Sequence, residues 1–122
     1  MYTTLRITTD AAHQDALLRL GEQMNRKRAG VFSGLRRAGD GFSCEISGSP
    51  SWEAYVQALH AFLRDFAETI AQARQLGAAV TVDVAIEPED RSASSAPLVL
   101  AVAPSLLVEM SALGLRLELS VY

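Results

Sequence analysis

The chain has 122 residues, of which 49% are hydrophobic and 20% are charged, and its net charge at pH 7 is −3. This length suffices for one domain with a hydrophobic core, and the composition excludes an intrinsically disordered chain. The small negative charge excludes bulk electrostatic attraction as a basis for binding nucleic acid or a membrane surface.

The cysteine count and the N-terminal sequence indicate in which cellular compartment the protein is expected. Cys44 is the only cysteine, so the chain has no internal disulfide and no cysteine-based zinc site. The first ten residues, MYTTLRITTD, lack the apolar core of a signal peptide, and no apolar run approaches the ~18 residues that a membrane span requires. We therefore expect a cytoplasmic protein without a membrane partner.

The first third of the chain predicts a strand, a short helix and a long loop. Residues 2–8 are rich in Thr, Tyr and Ile, which favours a strand. Residues 11–20 form a short amphipathic pattern, and Gly21 is a plausible helix-ending residue. Periodicity is then lost from residue 22 to residue 41, which predicts a loop with a strand fragment at residues 31–35.

The middle of the chain contains the strongest signal. Residues 42–47 alternate apolar and polar side chains, as in a half-buried strand. Residues 49–77 then place their large apolar side chains at three- and four-residue steps, which predicts one long amphipathic helix. Ser49 is the expected N-cap and Pro50 the first helical residue. This helix carries four of the eight aromatic residues, so we expect it to support the core.

The C-terminal third predicts two strands, a short helix and a last strand. Residues 80–86 alternate, residues 98–103 form a continuous apolar run, residues 104–113 form a helix closed by Gly114, and residues 115–122 alternate again. The predicted order is β-α-β-α-β-β-α-β. We expect a single α+β domain over residues 1–122, with one mixed, largely antiparallel sheet of about five strands and the helices mostly on one face.

Several of these features resemble the bacterial domain-of-unknown-function family 4279. They are the early strand ending in a Thr-Asp turn, the Leu20-Gly21 pair after the first helical pattern, and the C-terminal stretch LAVAPSLLVEMSALGLRLELSVY with its final tyrosine. The resemblance implies a small bacterial domain of α+β fold, and it carries no catalytic residue or cofactor over to this chain.

The candidate chemical residues form no recognisable motif. His13 and His60 have no second ligand at metal-binding spacing, and Cys44 alternates with apolar neighbours as a buried structural thiol would. The glycines match no phosphate-binding pattern. We therefore predict no catalytic residue, no metal and no cofactor, and we do not expect an enzyme. The alternative is a small-ligand or enzyme site assembled on folding from Cys44, His60 and Asp83.

The basic residues are distributed unevenly along the chain and are concentrated between residues 26 and 37. Five of the eleven basic residues lie in these twelve positions: Arg26, Lys27, Arg28, Arg36 and Arg37. Two interpretations stay open: a contact site for phosphates or for an acidic protein partner, and a mobile, solvated loop without a binding role. The lack of interleaved aromatic residues argues against nucleic acid, so the partner hypothesis for these five residues is an acidic protein. A homo-oligomer is compatible with the sequence, but nothing in the sequence indicates one. The favoured function is a small non-enzymatic bacterial protein-binding or regulatory module of the immunity type.

Overall fold

A computed structural model describes residues 2–8, 13–31, 41–47, 51–87 and 100–122 of the chain. These residues form an α+β fold with three helices and four strands. The elements are β1 (Tyr2–Thr8), α1 (Gln14–Lys27), β2 (Gly41–Ser47), α2 (Trp52–Gln75), β3 (Ala79–Ile86), α3 (Pro104–Ala112) and β4 (Arg116–Val121).

The strands form one mixed sheet in the order β2-β1-β3-β4. Strand β1 pairs antiparallel with both β2 and β3, and β4 pairs parallel with β3. A parallel pair needs a crossover connection, and here that connection includes α3. Strands β2 and β4 are therefore the edges of the sheet in the described part of the chain.

The strand predicted at residues 98–103 is absent from residues 100–103, the part of it that the structure describes. Residues 100–103 have no strand geometry, and residues 98 and 99 lie outside the described residues. The carbonyl of Ala101 accepts a hydrogen bond of 2.7 Å from Trp52 Nε1, and Ala103 is the N-cap of α3. The backbone of this segment thus leads into a helix, although its apolar composition resembles that of a strand.

Helix α1 is longer than predicted, and the expected loop is correspondingly shorter. Gly21 lies buried inside α1, and the helix continues to Lys27 because Leu17, Leu20 and Met24 extend one buried face across the glycine. Residues 22–27 are therefore helical, which contradicts the loop prediction. The strand fragment predicted at residues 31–35 falls almost wholly outside the described residues; Val31 itself is not in a strand.

Helix α2 has the buried face that its sequence predicts. Ser51 is its N-cap and accepts a hydrogen bond of 3.1 Å from the Ala54 amide, whereas the predicted cap Ser49 and Pro50 lie outside the described residues. At the other end Gly77 has a φ of +81°, a conformation that glycine adopts without strain. The buried residues of α2 are Tyr55, Leu59, Phe62, Leu63, Phe66, Ile70 and Ala73.

The core lies between the helices and one face of the sheet. Leu5 and Ile7 of β1 and Val80 and Val82 of β3 share one hydrophobic cluster with the apolar faces of all three helices. The described helices thus contribute to one core on the same side of the sheet. Residues that alternate with these, such as Arg6 and Asp83, lie on the second face of the sheet.

Candidate interaction surface

The predicted basic site is divided by the structure. Arg26 and Lys27 lie in the last turn of α1 and Arg28 is its C-cap, so these residues belong to a helix end and not to the predicted loop. Basic side chains at this end interact favourably with the negative end of the helix dipole. Arg36 and Arg37 lie outside the described residues.

Two of these basic residues contact helix α2. Arg28 Nη2 lies 2.6 Å from Asp65 Oδ2, and its guanidinium lies over the rings of Phe62 and Phe66, with its central carbon 5.6 and 5.5 Å from the ring centroids. Lys27 Nζ donates a hydrogen bond to the backbone carbonyl of Asp65. These contacts fasten α1 to α2, whereas the exposed Arg26 makes no comparable contact with α2 among the described residues.

The residues of the alternative ligand site occupy different layers. His60 lies on α2, and its Nδ1 is 2.5 Å from Glu109 Oε2 on α3. Asp83 lies on the second face of the sheet, because its neighbours Val82 and Val84 on β3 face the helices. Cys44 pairs with Leu5 in the β1–β2 ladder. The sheet therefore separates His60 from Asp83, and these two residues do not form a joint site.

Asp83 belongs to an ion-pair network that crosses the sheet. Arg6 of β1 bonds to Glu118 of β4 and lies 3.9 Å from Asp83 Oδ2 of β3. Ser120 Oγ donates a hydrogen bond of 2.7 Å to Asp83 Oδ1. Because each acidic group in the network has a partner, its first effect is to tie the edge strand β4 to the centre of the sheet.

A cleft opens at the start of α2, beside residues 100–103. Its inner part is an apolar cavity of about 10 Å³, too small for any ligand larger than a water molecule. Its outer part is open, and Glu53 and Gln57 supply the polar side chains among its lining residues. A small-ligand site needs several convergent polar groups, and the described lining does not provide them.

The most unusual surface lies on the C-terminal unit of α3 and β4. Five large apolar side chains there are at least half exposed, and they include every exposed large apolar residue found among the described residues. We call this region the β4–α3 surface; its residues are Leu107, Val108, Leu119, Val121 and Tyr122.

Four of the five residues of this surface, Leu107, Val108, Leu119 and Val121, lie on the helix side of the sheet. Leu119 and Val121 alternate with Ser120 and therefore point to the helix side, like Leu117, which packs against the core. On α3 the core contacts are made by Leu106 and Met110, and Glu109 reaches α2.

The direction of Leu107 follows from helix geometry. Successive residues of a helix are separated by about 100°, so Leu107 is turned from Leu106 in the direction opposite to Glu109. Because Glu109 faces α2, Leu107 faces away from α2, in agreement with its exposure of 50%.

The described residues add two negative observations. No group of three or more His, Cys, Asp or Glu residues among them is arranged to hold a metal ion. No helix in the described ranges combines the length and the apolar character needed to cross a membrane.

Comparisons of the chain with protein-family models, with curated proteins and with solved structures found no match. The resemblance to family 4279 therefore stays a prediction.

The sequence contained only part of the signal for the β4–α3 surface. Alternation in residues 115–122 predicts the strand, but it also predicts that the whole apolar stripe is buried. In the structure Leu115 and Leu117 are partly buried, whereas Leu119 and Val121 are exposed. Leu107 and Val108 belong to a helix that is apolar on most sides, SLLVEMSALG, and such a pattern does not distinguish a buried helix from an exposed apolar patch.

Proposed function

We propose that this chain is a non-enzymatic protein-binding module of the regulatory, immunity type, and that it binds its partner through the β4–α3 surface. The observation that supports the proposal is the exposure of 54% of Leu119 and 61% of Val121 on an edge strand of the sheet. Exposed apolar groups that form a patch are typical of interaction sites on monomers.

The edge position indicates the chemistry of the partner. An edge strand has a row of backbone N–H and C=O groups that are free to accept another strand. Natural edges are often protected by proline, a bulge or charged side chains; β4 has no proline and keeps a regular register with β3, and its charged side chains are those of Arg116 and Glu118. The fitting partner is thus an extended segment whose alternate side chains are apolar and continue the stripe of Leu117 and Leu119.

The basic end of α1 supports a second, weaker contact. Arg26 is exposed at the helix end, and Arg36 and Arg37 follow it in the chain. We retain these three residues as a proposed site for acidic side chains of a protein partner. Lys27 and Arg28 are less suited to this role because their cationic groups already contact Asp65.

The proposal is tested by capture and hydrogen exchange. Immobilised wild-type chain, a Leu119→Lys variant and an Arg64→Glu control are incubated with extract of the source cell. Arg64 is exposed on α2, away from β4, so its charge reversal controls for non-specific effects. We expect a protein that wild type and the control retain and Leu119→Lys loses, and slower amide exchange of Leu117 and Leu119 in the recovered complex.

Two results would contradict the proposal. Capture of the same proteins by wild type and Leu119→Lys would show that the edge is not the contact. Unchanged exchange of the β4 amides in a recovered complex would show that the partner does not pair with the strand. A further variant with Arg26, Arg36 and Arg37 changed to Ser separates the basic contact from the edge contact.

A further inference from the structure

We infer that the segment pairing with the edge of β4 is β4 of a second copy of this chain, in an antiparallel arrangement with Leu117 on the two-fold axis. The inference rests on the proposed function, because it names the partner of the same surface. Strand β4 meets the chemical requirement that the edge sets: it is extended, and its alternate side chains are apolar.

The backbone restricts the possible registers. The amide of Tyr122 donates to the carbonyl of Ile86 on β3, with an N···O distance of 3.0 Å. Because backbone groups alternate sides along a strand, the N–H and C=O groups of Leu117 and Leu119 point away from β3, to the side on which no other described strand lies. Two copies can form an antiparallel ladder only by pairing odd-numbered residues, so the two-fold axis must pass through a residue and not between residues.

The charges select one of the remaining registers. With the axis at Leu117, Arg116 of each copy lies opposite Glu118 of the other, in a non-hydrogen-bonded pair where side chains approach most closely. With the axis at Glu118, the two glutamates lie opposite each other and repel. With the axis at Leu119, neither Arg116 nor Glu118 lies opposite a charge. Only the axis at Leu117 places Arg116 opposite Glu118, and the two-fold symmetry forms this pair twice.

Contacts within one copy already hold the Arg116 and Glu118 side chains near the positions that this pairing requires. Arg116 Nη1 already lies 3.8 Å from Glu118 Oε1 of its own strand, and 70% of the Arg116 side chain is exposed. Glu118 is held in place by Arg6. In the dimer the same carboxylate would lie between its own Arg6 and Arg116 of the second copy.

The apolar side of the sheet gives the same register a second contact. Leu119 lies beside Leu115 of the second copy, the residue just before β4. The Leu115 amide already donates to the Met110 carbonyl, so this pair adds at most one ladder hydrogen bond, and its main effect is to cover the half-exposed Leu119 side chain. A short strand pair alone is marginally stable in water. The half-exposed Leu107 on α3 is available to add apolar area, because a two-fold axis normal to the sheet places both α3 helices on the same side of the joined sheet.

Sedimentation velocity of the full chain tests the inference. Wild type at about 1–100 µM is expected to shift from the 13.1 kDa chain to a species of twice that mass. Leu119→Lys is expected to be monomeric throughout. Arg116→Glu places like charges opposite each other in two pairs, so its dimer Kd should rise at least about tenfold. Arg64→Glu, a charge reversal on α2, should leave the dimer Kd unchanged.

The outcomes separate this inference from the proposed function. A monomeric wild type overturns the second copy as partner, but it leaves the edge free for another strand and leaves the capture experiment meaningful. A dimer that persists in Leu119→Lys shows that another surface is used. A dimer that is lost in Leu119→Lys and unaffected by Arg116→Glu overturns the Leu117 register. Circular dichroism of each variant confirms that it is folded.

Discussion

Arg28 shows how the surroundings of one side chain change its assignment. By sequence it belongs to a basic cluster available for a partner, but in the structure it bridges a carboxylate and two aromatic rings of α2. The Arg28 and Asp65 side chains are 41% and 43% exposed, so solvent weakens the ion pair and the contact with the rings is the more important part.

Replacing Arg28 is expected to reduce stability. Arg28→Ala should lower the free energy of unfolding by about 1–2 kcal/mol, because it removes an ion pair and a cation–π contact. Arg26→Ala, two residues earlier in the same cluster, should change it by less than about 0.5 kcal/mol. Urea unfolding of both variants measures the difference, and equal values would show that the contact between Arg28 and α2 contributes nothing.

Phe66 provides the corresponding test of the core. Its side chain is fully buried, and its ring centroid lies 4.6 Å from that of Phe62. Phe66→Ala should cost about 3–5 kcal/mol, through lost burial and the cavity that remains. Glu68→Ala, on the exposed side of the same helix, should cost less than about 0.5 kcal/mol. Thermal and urea unfolding check both values; a small loss for Phe66→Ala would place the core elsewhere.

At the scale of the elements, the sequence predicts those whose apolar period is long and unbroken. Helix α2 has such a period over six turns, so its type and buried face follow from the sequence. Helix α1 contains Gly21, which is a common helix-ending residue, but burial of Met24 one turn later keeps the chain helical. The position at which α1 ends is therefore set by tertiary contacts, which a single sequence does not reveal.

The candidate surface shows a different limit of sequence reasoning. The alternation in residues 115–122 identifies the strand and its apolar side, but not its place at the edge of the sheet. That place depends on the parallel pairing with β3, which is a non-local property. The exposure of Leu119 and Val121 follows from the edge position, and the sequence alone therefore predicts the stripe without predicting the surface.

The position of α3 gives a prediction at this scale. The hydrogen bond between His60 Nδ1 and Glu109 Oε2 joins α3 to α2, and both side chains are about 30% exposed or less. His60→Ala and Glu109→Ala should each cost about 1 kcal/mol, and the double variant should cost clearly less than the sum. A double-mutant cycle from urea unfolding measures this coupling; additive losses would mean that the two groups do not interact.

For the whole molecule, the structure changes how many cations are available to a polyanion. The chain has a net charge of −3, so nucleic-acid affinity would have to come from the basic residues between positions 26 and 37. Lys27 and Arg28 already contact Asp65. Arg26 remains, with Arg36 and Arg37 outside the described residues, so at most three of the five cations are available.

This count sets the expected salt dependence. Each neutralised phosphate of a duplex contributes about −0.9 to the log–log slope of the binding constant against salt, so three cations give at most about −2.7. Helix α1 cannot act as a recognition helix through these residues, because they lie at its C-terminal end and its apolar face is buried against α2. We therefore predict no measurable binding to duplex DNA or single-stranded RNA at physiological salt.

Fluorescence anisotropy with labelled oligonucleotides at two salt concentrations checks the prediction. The matched control changes Arg26, Arg36 and Arg37 to Ser, which removes the available cations and leaves the contacts of Lys27 and Arg28 with Asp65 in place. Wild type and control are expected to give the same flat titration. Micromolar binding by wild type, with a steep salt slope that the control lacks, would contradict the prediction. It would then assign the basic residues to phosphates, and it would not bear on the protein contact that we propose for the edge of β4.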